Sequence, residues 1–279
     1  MKNQLFVSLA LAALAQSVMG APVVTSGGGL AAATTARDTF RTLLGGGLVA
    51  GANGSFGGAR REINWDGVPD ALSSPNALPA NFFNANSPRG VVFSTPGTGF
   101  QVSATAASGT PVRFGNINAT YPGTFTAFSP QRLFTAVGSP QTDVNFFGPG
   151  TNLPATTSGF GSIFTDVDIA TSTSIQLFDS AGNSLGIFAV PVGDVSFLGV
   201  TFDAGERVAR ARIVSGNAAL GPNDAPPGTD VVAMDDFLFG EPQLLAIAAR
   251  PIPTLTQGAM GVLLVTLALF GAMWLRRRR

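Results

Sequence analysis

Residues 258–275 read GAMGVLLVTLALFGAMWL, 18 positions without a charge, and four arginines, Arg276, Arg277, Arg278 and Arg279, follow at once. As a helix rising about 1.5 Å per residue, that run covers about 27 Å. The hydrocarbon core of a bilayer is about 30 Å thick. Trp274 stands at the end of the run, where an amphipathic ring suits the membrane interface. Four adjacent guanidinium groups resist translocation and stay on the cytoplasmic side. The pattern therefore predicts one transmembrane helix over 258–275, a cytoplasmic stop at 276–279, and a body facing outward.

The amino end agrees with that orientation. Lys2 supplies a positive start, Leu5 to Ala15 is an apolar stretch of 11 residues, and Ser17 to Gly20 is a short exit of mostly small residues. The stretch is too short for a bilayer, and the three parts in this order read as a secretory signal. Val18 and Gly20 at −3 and −1 place signal-peptidase cleavage between Gly20 and Ala21.

Just ahead of the apolar tail stand Ile252, Pro253, Thr254 and Leu255. The order Ile-Pro-Thr-Leu, short polar spacer, apolar helix, arginine block resembles the IPTL-CTERM sorting domain, a cousin of the PEP-CTERM tails processed by exosortase-type membrane proteases in Gram-negative bacteria. The resemblance covers 252–279. It departs after Leu255, where family members often continue Ser-Glu-Trp-Gly and this chain has Thr256-Gln257-Gly258. It implies recognition by a sorting transpeptidase, cleavage near Pro253 and delivery to the cell surface or extracellular matrix. The physical parallel is a GPI signal, whose disposable hydrophobic tail presents a cleavage site to a membrane enzyme. A permanent anchor is the plainer alternative.

Between the tails the body carries 11 arginines, no lysine and all 16 acidic residues, a formal charge of −5. That balance argues against nucleic acid, which requires clustered positive charge. The chain has neither cysteine nor histidine. An exported body without disulfides relies on its core, which about 230 residues can supply. Thiol nucleophiles, thiolate metal sites, the Ser-His-Asp triad and imidazole ligands are all excluded.

The 35 glycines and 19 prolines, with 22 phenylalanines and many valines, fit short strands joined by many turns. Ala21 to Ala36 reads as a loose leader and Arg37 to Leu44 as a short helix stopped by Gly45-Gly46-Gly47. Strands are expected over 61–65, with Ile63 and Trp65 on one face, and over 90–95, 100–104, 112–114, 124–128, 133–137 and 143–147. The series continues at 159–167, 174–179, 184–190, 196–202, 208–214 and 231–239. No helical period intervenes between these runs, so the fold class is all-β, a β-sandwich or jelly roll. The organisation is a signal peptide (1–20), a leader (21–60), a β-sandwich body (61–242), a linker with the sorting motif (243–257), a transmembrane helix (258–275) and a stop (276–279). The body resembles β-rich domains of PEP-CTERM-like proteins.

Few residues suggest chemistry. The Gly-rich stretch 45–58 lacks the lysine of a phosphate loop. Asp166 and Asp168 on one strand would share a face, about 6.5–7 Å apart. Asp235 and Asp236, near the end of the last strand, would point to opposite faces. Met234 to Leu238 resembles the closing Asp-Asp strand of jelly-roll carbohydrate-binding and adhesion modules, which implies a structural Ca²⁺. Asp166, Asp168, Asp235 and Asp236 are accordingly the candidate metal ligands, for a hard, oxygen-seeking ion. No catalytic residue stands out. Glu62, beside a Trp65 able to stack on sugar, and the paired aspartates are the nearest to a glycosidase set. Arg207, Arg210 and Arg212 read as one exposed strand face paired with acids. The expected function is that of a non-enzymatic, exported surface or matrix protein. Its partners would be the membrane, signal peptidase, an exosortase-type sorting protease and extracellular polysaccharide. A carbohydrate-active enzyme and a passive anchored domain are the alternatives.

Overall fold

The computed structural model describes residues 21–45, 53–54, 60–223, 227–245 and 257–277. Residues 1–20, most of the Gly-rich stretch, the sorting motif at 252–255, and Arg278 and Arg279 lie outside them. Among the described residues the chain forms, in order, β1 (Val23–Gly28), α1 (Leu30–Leu44), β2 (Arg60–Ile63), α2 (Phe82–Ala85), β3 (Val91–Ser94), β4 (Gly99–Val102) and α3 (Tyr121–Thr124). It continues with β5 (Phe134–Val137), β6 (Gln141–Phe146), β7 (Ala155–Thr156), β8 (Gly159–Val167), β9 (Ser174–Phe178) and β10 (Ser184–Ala189). The last elements are β11 (Gly193–Thr201), β12 (Arg210–Val214), β13 (Ala233–Gly240), β14 (Gln243–Leu244) and α4 (Gln257–Arg276).

Two antiparallel sheets share one core, and the all-β, sandwich-like expectation holds. The larger runs β1-β11-β8-β13-β5-β4, with β2 also on β13. The smaller runs β10-β9-β12-β6-β3. Between them lies an aromatic cluster in which Trp65 stacks on Phe134 at 4.2 Å and meets the edges of Phe83 and Phe237. The expected strand through Trp65 ends at Ile63, because Trp65 adopts φ 65° and swings its ring inward. The strand expected over 112–114 is likewise a turn, with left-handed Arg113 and Phe114. That expected over 124–128 follows the single turn α3 and is irregular.

The smaller sheet shows the period-two pattern of a sheet with one wet face. Ile175, Leu177, Ala211 and Ile213 are buried while Gln176, Arg210 and Arg212 face outward. Phe178, which breaks the alternation, lies under the Arg210 guanidinium, 3.7 Å from the ring centre.

The centre of the larger sheet, β8, β11 and β13, is covered on both faces, and α1 supplies the second cover. Ala33, Ala36, Phe40 and Leu44, spaced as one helical stripe, pack on Ile163, Val195, Phe197 and Leu238. The loose leader expected over Ala21–Ala36 is therefore strand β1, paired with β11, followed by the first half of α1. The small side chains that make this segment read as coil are what lets it lie close. A Cβ on Gly199 would sit 2.5 Å from the Phe40 ring, so only glycine admits the helix there.

The chain divides into two compact units, Met1–Leu245 and Ala246–Arg279. In the second, α4 spans the segment where an apolar helix is expected. Among the described residues no helix is long and apolar enough to cross a membrane.

Candidate functional site

Asp235 and Asp236 sit where β13 loses register with β8, the pairing shifting between Met234 and Phe237. A bulge of this kind turns a strand's side chains out of alternation. The two carboxyls do not point to opposite faces; both are buried and both reach the hydroxyl of Ser129, at 2.9 Å and 2.8 Å. Asp235 Oδ2 accepts from the backbone N–H of Phe128 at 2.7 Å and of Ser129 at 3.2 Å.

The single Ser129 hydroxyl is offered to both carboxyls, so keeping both charges side by side is costly and the two groups titrate as a pair. Burial pushes Asp235 well above the usual carboxylate range, and the Asp236 charge adds to it, against the Phe128 N–H and the Ser129 hydroxyl. Burial raises Asp236 as well, and the Glu62 charge adds to the effect. The pair thus holds a proton that solvated aspartates would have lost. Its work is to fasten the loop at 126–129 to the sheet, helped by the Thr126 N–H donating to Thr165 Oγ1 at 2.8 Å.

Glu62 and Trp65 do not form a sugar subsite. Glu62 accepts from Arg41 at 2.8 and 2.6 Å and from Arg60 at 2.7 Å. Burial alone would push its carboxyl up, but the hydrogen bonds and charges of those arginines hold it below the usual range. Trp65 is 1% exposed, and its indole N–H donates to the Asp235 carbonyl at 2.9 Å.

Asp166 and Asp168 belong to a separate group, with Asp194 and Asp230, at the end of β8. Asp166 is half-buried at φ 68°, and desolvation, then the charges of Asp168, Asp230 and Asp194, push it up to about 7. Asp230, which no sequence signal singled out, is buried and organises the turn after β8. It accepts from the N–H of Asp168 at 3.2 Å and of Ile169 at 3.3 Å, and from the Ser172 hydroxyl. Among the described residues no group of three or more acidic side chains is disposed to hold a metal ion. Arg210 and Arg212 converge on Asp143 at 2.8–3.1 Å, whereas Arg207 leaves the row and donates to the Thr156 carbonyl. No protein-family model matches the chain, and no curated protein matches it.

Proposed function

We propose that this chain is an exported surface protein, carried and sorted by its C-terminal tail, whose β-rich body acts as a structural or adhesive module against extracellular polysaccharide. The observation that carries the reading is the tail itself. An uninterrupted helix over Gln257–Arg276 covers the charge-free run and ends in the arginine block. Its described apolar side chains, Val265, Leu267, Leu269, Phe270, Met273 and Trp274, are 55–69% exposed. Large apolar groups on a helix of this composition gain free energy in lipid. The Ile252–Leu255 motif ahead of it supports processing by an exosortase-type protease over simple retention. Ala21, the residue after the expected signal cleavage, lies two residues before β1, so removal of 1–20 leaves that strand whole.

The test is cell fractionation with and without the sorting protease, followed by mass spectrometry of the mature protein. With the protease, the chain should begin at Ala21 and end near Pro253. Without it, the chain should extend to Arg279 and sediment with membranes. Retention to Arg279 in both strains would make the tail a permanent anchor. Full-length chain in the soluble cytosolic fraction would overturn the reading.

A further inference from the structure

The connection from β4 to β5, residues 103–133, is far longer than the few residues that most strand connections need. It is held at several points. Phe114, Tyr121, Phe125 and Leu133 form a small core with Ala233 of β13. The Asp235–Ser129–Asp236 clasp ties down its second half, and Arg132 donates to the Ser103 carbonyl at 2.8 Å. The result is a preorganised surface, which lowers the ordering cost of binding.

Within this connection lies an open cavity of about 460 Å³, lined by Ala106, Val112, Arg113, Thr126, Ala127 and Gln131. That is within the range of small-ligand sites. Two of the lining residues, Arg113 at φ 49° and Gln131 at φ 90°, hold left-handed backbone that residues other than glycine seldom adopt. Such conformations concentrate where a binding surface has to be shaped. Seven other arginines of the described body pair with carboxylates. Arg113 pairs with none among the described residues. Its Nη1 donates to the Phe125 carbonyl at 2.7 Å, which positions the guanidinium without neutralising it. Among the described residues the lining contains no acidic side chain.

We propose that this cavity binds an acidic sugar, a uronate unit of a polysaccharide, with Arg113 taking the carboxylate. The planar guanidinium matches a carboxylate in a way that an ammonium does not. Thr126 and Gln131 supply hydroxyl and amide partners for ring hydroxyls, and Ala106, Val112 and Ala127 face the apolar side of the ring. The proposal rests on the reading that the body works outside the cell, where such polymers occur.

The test is a ligand-observed NMR titration of the full chain in detergent micelles with glucuronate, glucose and acetate at fixed ionic strength. Glucuronate should bind saturably in the millimolar range, with glucose and acetate each at least about ten-fold weaker. Arg113→Asn, which tolerates left-handed backbone, should weaken glucuronate at least about ten-fold. Arg113→Lys should fall between the two. If Arg113→Asn lowers the melting temperature, the comparison of Arg113→Lys with wild type decides instead. The proposal fails if glucuronate does not saturate, if glucose or acetate binds as well, or if the deciding variant binds unchanged. The titration reads nothing of processing, so its failure and failure of the tail reading are separate results.

Discussion

In the larger sheet β8, β11 and β13 are buried along almost their whole length, with α1 on one face and the second sheet on the other. In the smaller sheet β9 and β12 bury alternate side chains and leave the rest in water. The same residue types consequently behave differently in the two places. Asp143, on the smaller sheet, accepts from Arg210 and Arg212 on the outer face. Asp235, on the larger, has no ion-pair partner among the described residues; burial raises its pKa and it takes two backbone N–H groups. Desolvation decides the outcome: a charge beside water is cheap to keep, and a buried one must be paired or neutralised.

The largest expected effect lies in the helix-covered face. Phe40→Ala should lower the unfolding free energy by about 3–5 kcal/mol, as the removal of a buried aromatic side chain does elsewhere. Ile187→Ala, on a β10 side chain that is 65% exposed, should stay within about 0.5 kcal/mol. Urea denaturation measures both, and equal costs would mean that α1 does not close the larger sheet.

Next is the clasp. Asp235→Ala should cost about 1–3 kcal/mol, since it leaves the part-buried Phe128 and Ser129 N–H groups without this acceptor. Asp235→Asn keeps a neutral side chain with one acceptor and one donor, and should be close to wild type at neutral pH. The wild-type pair, with its raised pKa, stabilises the fold most at acid pH and loses that contribution as pH rises above the usual carboxylate range. Thermal unfolding across pH should show this decline in the wild type and a flatter profile in Asp235→Asn. An equally steep profile in the variant would place the proton elsewhere.

Asp166 should give a smaller effect of the same sign. With its folded value raised from the usual 3.8 to about 7, the native state holds an extra proton between those values. The stabilising contribution is complete below 3.8 and is lost as pH climbs through 7. Asp166→Asn, which suits φ 68°, should therefore stabilise the protein above pH 7. Its partial exposure limits the gain to about 1 kcal/mol. A loss of stability would show that the Asp166 charge is compensated in the fold.

The smallest effect belongs to the smaller sheet's outer face. Arg212→Ala should cost less than about 1 kcal/mol, and salt should shrink the cost further, because this pair is partly exposed and screened. A cost above that of Asp235→Ala would reverse the contrast between the sheets.

How much of this was legible follows the same contrast. The strands of the smaller sheet could be read from residues such as Ala211 and Ile213 set between Arg210 and Arg212, because one wet face writes period two into the chain. In the middle of the larger sheet neither face is wet, so β8 and β13 carry no such alternation. The leader, rich in glycine, alanine and threonine, resembled coil because its small side chains serve close approach to a sheet encoded far along the chain. Glu62 and Trp65 looked available for sugar, and their partners, Arg41 and the carbonyl of Asp235, are set by the fold.

By itself the amino-acid order determined what depends on neighbours in sequence: β-rich local structure, turns at Gly and Pro, the charge-free tail with its arginine end, and the chemistry that a chain without cysteine or histidine must forgo. Tertiary structure alone decided that Asp235 and Asp236 meet over Ser129, that Trp65 is buried, and that Arg113 lines a cavity with no carboxylate partner among the described residues. The reason is distance along the chain. Propensity and hydrophobic period act over a few residues, whereas burial, protonation and pairing are set by groups a hundred positions away, brought together only when both sheets close on their shared core.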